Sequence, residues 1–241
     1  MIDRGLLLSV ALIVATVWLV ARRWPPRLQR EESVLSASFN PITAGVVAGR
    51  LVAVAVDDPA ALTHIRDLLV IRGGMEFWPG VAAAVAACAL GVRRSRSQIP
   101  VTAELADLAP YALGAYAVYE ATCLVRDGCF GPVSVLGLRP GGLGPTEVPI
   151  GLFVAAAVVA LAVWVRRVGR TDLVLAIIVG VLGLAAIRSV AAIWLPKIGE
   201  SASRPQMESL AIAVASLAVL AYRLRTRHRT TEQEPGAGRD A

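Results

Sequence analysis

The chain has 241 residues, of which 56% are hydrophobic and 17% are charged, with a formal net charge of +6 and a mean hydropathy of +0.64. Soluble globular proteins are about half apolar and about a quarter charged, so this composition excludes a soluble fold and predicts an integral membrane protein. The positive charge would suggest nucleic acid in a soluble protein, but here the spacing of the arginines explains it by membrane topology.

Seven apolar segments follow one another along the chain. They are Gly5–Ala21, Ile42–Val56, Gly80–Val92, Leu105–Val125, Pro149–Val165, Leu173–Trp194 and Ser209–Tyr222. Several are shorter than the roughly 20 residues that cross a bilayer as a helix. The third segment becomes long enough only if Leu68–Phe77 dips into the membrane before it. The predicted fold is an all-α integral membrane protein with seven transmembrane helices.

Arginine clusters follow every second segment, beginning at Arg22, Arg93, Arg166 and Arg223. Fifteen of the 24 Lys and Arg residues then fall on one side of the membrane. Because basic loops stay in the cytoplasm, the N-terminus is predicted outside and the C-terminus in the cytoplasm. We expect one seven-helix membrane domain over residues 1–229 and a disordered cytoplasmic tail over residues 230–241.

Polar stretches between the segments predict linkers and loops. Pro25–Asn40 is interpreted as a cytoplasmic linker, and Val56–Gly74 and Leu195–Met207 as outer loops. Gly131–Pro149 is rich in Gly and Pro, which predicts an ordered but non-helical outer loop. Asp107 is interpreted as a helix-start residue, where a carboxylate is favourable near the positive end of the helix dipole.

The cysteines and histidines of the chain give little indication of a metal site or a redox site. Cys123 and Cys129 lie near the outer end of the fourth segment, and whether they form a disulfide stays open. The chain has two histidines and no CxxC pair, so no metal and no cofactor are expected.

The stretch Gly73–Gly80 is the best candidate for a site. Four of its eight residues are Gly or Pro, which cannot continue a helix cheaply, and Glu76 and Trp78 lie among them. Irregular backbone at the membrane edge is tolerated only where it lines a cavity or is buried in protein. Glu76 either pairs with Arg72 or takes part in chemistry. Trp78 either lines a cavity or belongs to the interfacial aromatic belt.

Three ionisable residues lie inside the predicted spans: Arg50, Glu120 and Arg188. Such residues are costly in a membrane, so each one is a site hypothesis. Alternatively, Arg50 snorkels to an interface and Glu120 is an internal partner of an arginine. Two fixed arginines suit an anionic lipid headgroup, because guanidinium binds phosphate through paired hydrogen bonds. The candidate lipid-binding residues are Arg50, Glu76, Trp78, Glu120 and Arg188.

These motifs resemble those of the prolipoprotein diacylglyceryl transferase family over most of the chain. Gly49-Arg50-Leu51 is similar to the family's second-span motif, and Ile71–Gly80 is similar to its GGMSFHGG motif. The stretch from Asp107-Leu108-Ala109-Pro110 to Gly131 is similar to its D-x-x-A-P signature, and Arg188 falls where the sixth span has an essential Arg. The resemblance implies seven spans in the bacterial cytoplasmic (inner) membrane, with the N-terminus outside.

The family moves a diacylglyceryl group from phosphatidylglycerol to the thiol of a lipoprotein Cys, and glycerol phosphate is released. This chemistry needs a thiolate and cationic stabilisation of the leaving phosphate. The resemblance therefore implies an anionic phospholipid such as phosphatidylglycerol as a partner. It also implies a lipoprotein precursor or a membrane complex, and no nucleic acid.

The chain departs from the family at positions that carry this chemistry. Trp78 stands where the family has its proposed base, a His, and Glu120 stands where the fourth span has an Arg. Losing one proton-transfer group costs about 10²–10⁴-fold in rate. The catalytic residues are therefore unknown, and two functions stay open. One is diacylglyceryl transfer or a degenerate version of it, and the other is a non-catalytic lipid-binding or accessory subunit built on the same fold.

Overall fold

The computed structural model describes residues 4–28, 33–57, 59–60, 75–95, 98–126, 129–139, 144–194 and 203–232. Within these ranges the helices are α1 (Arg4–Arg23), α2 (Val34–Asp57), α3 (Phe77–Arg94), α4 (Val101–Ala121), α5 (Ile150–Val168), α6 (Leu173–Trp194) and α7 (Arg204–Glu232). A short 3-10 helix, Thr122–Arg126, follows α4. Strand β1 (Phe130–Leu138) pairs antiparallel with β2 (Glu147–Pro149). The fold is thus helical apart from one small hairpin.

The helices have the properties of membrane spans. Four of those described, α2, α5, α6 and α7, are long and apolar enough to cross a bilayer. Large apolar side chains such as Leu19, Phe153 and Leu217 lie exposed on the outer surface. Lipid tails are as apolar as these side chains, so such a surface suits a bilayer. The chain is therefore an all-helical membrane protein, as its composition predicted.

Helix α2 begins well before the segment predicted for it. It begins at Val34, and it continues through Pro41. The backbone N–H of Ser36 donates to the Ser33 hydroxyl at 3.2 Å, which caps the helix start. The prediction of a linker over Pro25–Asn40 was therefore wrong from Val34 onward, because a cap can start a helix inside a polar stretch.

Helix α4 also begins earlier than predicted, at Val101 after Pro100. Asp107 was therefore wrongly interpreted as a helix-start residue. Its side chain is buried, and its carboxylate accepts the backbone N–H of Arg27 at 3.0 Å. This contact attaches the chain after α1 to the side of α4.

The remaining segments agree with their predictions to different degrees. Helix α6 has the predicted bounds, whereas α7 extends the seventh segment at both ends and reaches Glu232, inside the predicted tail. Four predicted regions lie wholly or mainly outside the described residues: residues 233–241, most of the Val56–Gly74 loop, the first part of the predicted membrane dip and most of the Leu195–Met207 loop. The described parts of the Gly- and Pro-rich stretch, residues 131–139 and 144–149, are non-helical as predicted, and residues 140–143 lie outside the described residues. The hairpin in it is held by Ser134 N–H, which donates to Thr146 O at 2.9 Å.

The core lies between α4, α5 and α6. Its most deeply buried side chains are small, and Val158, Val165, Ala176 and Ala185 have no exposed surface. Small side chains allow membrane helices to approach closely, where packing rather than the hydrophobic effect holds them together. Helices α5 and α6 therefore form a rigid wall against which α4 packs.

Helices α2 and α3 cross at closer range, through glycines. A Cβ atom at Gly49 would lie 2.7 Å from the carbonyl oxygen of Glu76, and one at Gly45 would lie 2.9 Å from that of Gly80. The Glu76 N–H donates to the Gly49 carbonyl at 3.0 Å. The two backbones are therefore in direct contact, and α2 fixes the position at which α3 begins.

We predict that Gly49→Ala lowers the melting temperature of the protein in detergent. The new methyl group would clash with the Glu76 carbonyl, and overpacking of this kind costs about 1–3 kcal/mol. Gly91→Ala is the matched control, because a Cβ there meets no atom within 4 Å. The control should be neutral or stabilising by up to about 1 kcal/mol, since Ala favours helix over Gly. Equal melting temperatures for the two variants would contradict the close crossing.

Candidate functional site

Arg188 on α6 lies at the centre of a cluster that also contains Phe77, Tyr116 and Glu120, called here the Arg188 cluster. Its Nη1 atom donates to the Tyr116 hydroxyl and lies 3.9 Å from Glu120 Oε1. Its guanidinium carbon lies 3.9 Å from the centre of the Phe77 ring, a cation–π geometry. Arg188 is thus held by a carboxylate and a hydroxyl from α4 and by an aromatic face from α3.

The local folding of the chain explains why these residues meet. Tyr116 and Glu120 are four residues apart on α4, so they share one face of that helix. Phe77 is the first residue of α3, and its position depends on the crossing with α2. Tyr116 was missed by the sequence analysis, although its spacing from Glu120 was a usable signal.

One donor of Arg188 remains unused. The Nε atom is buried and makes no hydrogen bond to any residue in the described ranges. A buried donor without a partner costs about 1–3 kcal/mol, so such an atom calls for an explanation. An oxyanion beside the guanidinium would accept this hydrogen bond.

An apolar groove of about 630 Å³ adjoins the cluster. It is bounded by α5, α6 and β1, and its lining includes Pro132, Ile150, Phe153, Ile187, Val190 and Trp194. Ile187 is the neighbour of Arg188 in the chain, so the groove and the cluster lie on adjacent faces of α6. The volume is typical of a small-molecule site. An apolar groove beside a fixed cation matches the two halves of a phospholipid.

Trp78 lies in the core rather than at an interface. It is 8% exposed, and its Nε1 atom donates to the Ser209 hydroxyl on α7 at 2.9 Å. Its ring packs edge-on against Phe77, with 5.1 Å between ring centres. The aromatic-belt interpretation was therefore wrong for Trp78. Trp78 therefore connects α3 to α7 and packs against Phe77.

Glu76 precedes α3 and faces the start of α7. Its Oε1 atom lies 3.7 Å from Nη1 of Arg204, and Arg204 Nε donates to Glu208 at 3.0 Å. Burial, followed by the negative charge of Glu208, raises the pKa of Glu76 above its usual value, and Arg204 opposes this shift. The proposed partner Arg72 lies outside the described residues.

Arg50 is half-buried on α2, directly after Gly49. The Gly49 carbonyl accepts the Glu76 N–H, so Arg50 lies next to the α2–α3 junction. Of the five candidate residues, the structure brings Glu120 and Arg188 into direct contact. It connects Arg50 and Glu76 through neighbouring backbone, and it connects Trp78 to the cluster through Phe77.

A disulfide joins Cys123 and Cys129 at the edge of the cluster, which answers the question that the sequence left open. It connects the 3-10 helix after α4 to the start of β1. Glu120 Oε2 lies 3.9 Å from Cys129 Sγ. The carboxylate of the cluster and the hairpin beside the groove are therefore fixed to each other. In the described part of the chain, no group of three or more His, Cys, Asp or Glu side chains could hold a metal ion.

Comparison with known proteins gives consistent results. A family model of prolipoprotein diacylglyceryl transferases matches residues 4–222 of the chain. A curated relative, the phosphatidylglycerol–prolipoprotein diacylglyceryl transferase 2 of Streptomyces coelicolor, is 29% identical over 96 residues. The matched stretch covers 38% of this chain and 30% of the relative's length.

We predict that Ser209→Ala destabilises the protein by about 1–3 kcal/mol, because it leaves Trp78 Nε1 buried without an acceptor. The double variant Trp78→Phe/Ser209→Ala should lose less stability than the two single variants lose together, as measured by melting in detergent. Ser189→Ala is the control, since its hydroxyl donates to a carbonyl in its own helix, as that of Ser209 also does. Strict additivity of the two changes would show that the Trp78–Ser209 bond contributes nothing.

Proposed function

The chain belongs to the prolipoprotein diacylglyceryl transferase family, and we propose that it binds an anionic phospholipid such as phosphatidylglycerol at the Arg188 cluster. The proposed reaction is transfer of the diacylglyceryl group to a lipoprotein Cys, or a degenerate version of this reaction. The observation that carries the proposal is the buried, unused Nε donor of Arg188 beside an apolar groove.

In this proposal the phosphate accepts hydrogen bonds from Arg188, and an acyl chain occupies the groove. Charge-assisted bonds from a planar guanidinium suit a phosphate, and they are strong where water is scarce. Arg50 supplies the second positive charge from α2. Glu76, Trp78 and Glu120 hold the surrounding helices and the cation in position.

The proposed topology has seven spans in one membrane domain over residues 1–229, in the bacterial cytoplasmic membrane, with the N-terminus outside. Its support is that α1, α3 and α5 each end in an arginine pair, as cytoplasmic helix ends do. Phe77 at the start of α3 and Arg188 near the end of α6 then lie toward the outer leaflet. Phospholipid and lipoprotein precursor would both reach the site from that leaflet.

The transfer requires a new C–S bond and cleavage of the C–O bond to phosphate. The thiol must lose its proton, and the released glycerol phosphate must be stabilised by positive charge. Arg188 provides that charge. An indole cannot accept the thiol proton, because its nitrogen is only a donor, so Trp78 does not replace the family's His in this role.

A second candidate function is a non-catalytic lipid-binding protein or an accessory subunit of a membrane complex. The contact between Glu120 and Arg188 favours it, because the carboxylate partly neutralises the cation that would stabilise a leaving phosphate. The buried position of Trp78 favours it as well. The lipid-binding form of this candidate shares the phospholipid with the first candidate, and it differs only in whether transfer follows.

We predict that the chain restores diacylglyceryl modification of a reporter lipoprotein in a bacterial strain depleted of its own transferase. Arg188→Gln should lower the modification rate about 10²–10³-fold, the usual cost of removing one donor to a developing oxyanion. Arg225→Gln is the matched control, because it removes the same charge from an exposed position on α7. Trp78→His tests in parallel whether a base at that position increases transfer.

The result also separates the two candidates. If the wild-type chain gives no modification, transfer is excluded, and mass spectrometry of lipid bound to the purified protein tests the second function. Arg188→Gln should then copurify with less phosphatidylglycerol per protein than the wild type and Arg225→Gln do, because it loses the lipid at the Arg188 cluster. Equal lipid content in all three proteins would contradict phospholipid binding at the Arg188 cluster, on which both transfer and non-catalytic lipid binding depend.

A further inference from the structure

A second group of arginines lies at a distance from the Arg188 cluster. Arg27 follows α1, Arg166 lies in the last turn of α5, and Arg170 lies in the turn after α5. Asp172, at the start of α6, is 16 residues from Arg188, which corresponds to about 24 Å along a helix. We call Arg27, Arg166 and Arg170 the second arginine cluster.

The backbone holds these side chains close together. The Arg27 guanidinium donates to the Arg166 carbonyl. The Arg166 guanidinium in turn donates to the Pro25 carbonyl at 3.3 Å. Gly169 allows this approach, since a Cβ there would lie 3.1 Å from the Arg27 guanidinium. The chain after α1 and the end of α5 are therefore joined through two arginines.

The cluster has more positive than negative charge. Burial and the charges of Arg166 and Arg170 lower the pKa of Arg27, while Asp107 and Tyr111 oppose this shift. Asp107 is buried and accepts the Arg27 backbone N–H. The nearby carboxylate of Asp172 is bound by Arg223, with oxygens at 2.9 and 3.1 Å. Both carboxylates are engaged, so the positive charges of Arg166 and Arg170 act on Arg27 with one buried carboxylate, Asp107, to offset them.

Aromatic side chains indicate the depth of the cluster in the membrane. Trp18 and Trp164 are 44% and 57% exposed, and Trp24 lies 5.3 Å below the Arg166 guanidinium carbon. Exposed Trp side chains gather at the membrane–water interface, at the level of the lipid headgroups. The cluster therefore lies at the depth where phospholipid phosphates are found.

We propose that the second arginine cluster binds the phosphate of an anionic phospholipid headgroup. The positive-inside rule accounts for arginines in these loops, but it does not require three of them to converge. Capping of α5 accounts for Arg27 alone. A phosphate between the guanidinium groups removes their repulsion and accepts paired hydrogen bonds from them. The site is separate from the Arg188 cluster and does not depend on the proposed function.

The test uses the full chain in detergent and native mass spectrometry. Phosphatidylglycerol is titrated against phosphatidylcholine, with inorganic phosphate as a competitor. The wild type should bind phosphatidylglycerol in a saturable manner, and Arg166→Gln/Arg170→Gln should bind one equivalent at least about tenfold more weakly, since one charge-assisted bond contributes that much. Arg94→Gln/Arg225→Gln removes the same charge from other exposed positions and should leave that equivalent unchanged.

Two further variants separate the explanations. Arg170→Gln alone leaves the Arg166–Pro25 bond intact and should still weaken binding, which excludes an effect of misfolding. Arg188→Gln should leave this equivalent unchanged, so the two phospholipid sites can fail independently. Any of three results would overturn the proposal. The control pair could bind phosphatidylglycerol as weakly as Arg166→Gln/Arg170→Gln, or the wild type could bind phosphatidylcholine as tightly as phosphatidylglycerol. Inorganic phosphate at the lipid's own concentration could also displace phosphatidylglycerol completely.

Discussion

The charge of Arg188 constrains the structure more than any other single feature. A guanidinium inside an apolar bundle has to be satisfied by protein, because the surroundings offer no water. Glu120 and Tyr116 provide this from one face of α4, and Phe77 covers the cation from α3. Phe77 can do so because α3 begins at a point set by its backbone contact with Gly49 of α2. Trp78 and Ser209 then fix the same end of α3 to α7. Helices α2, α3, α4, α6 and α7 are therefore coupled to one partly buried cation.

The two arginine clusters use the same side chain under different physical conditions. Arg188 is surrounded by protein, has a carboxylate partner, and retains one buried donor. Arg27 and Arg166 are instead joined through backbone carbonyls, and one buried carboxylate, Asp107, accepts the backbone N–H of Arg27. The first arrangement is specific, because every neighbour is a fixed side chain. The second depends on long-range charge, and its strength decreases with salt.

In the described part of the chain, the sequence predicted the order of the helices better than their ends. Hydropathy located α6 correctly because Asp172 and Pro196 enclose a long run that is apolar apart from Arg188 and Ser189. It missed the first turns of α2, which are polar and are started by a Ser33 cap. Pairing of Glu120 with an arginine was anticipated, since buried charge needs a partner. Tyr116 was not, because a neutral hydroxyl gives no comparable signal. The bond between Trp78 and Ser209 joins residues 131 positions apart, and no local pattern predicts it.

The disulfide between Cys123 and Cys129 closes a loop of only six residues. Closing so short a ring lowers the entropy of the unfolded chain and thereby stabilises the fold by about 2 kcal/mol, less than a long-range bridge does. Its main effect is therefore local geometry. The bond holds the 3-10 helix after α4 and the residue before β1 at a fixed separation, and Pro132 of that strand borders the groove. Oxidation of the two thiols thus fixes the position of one wall of the apolar groove. This wall therefore reaches its fixed position only after the chain enters an oxidising environment.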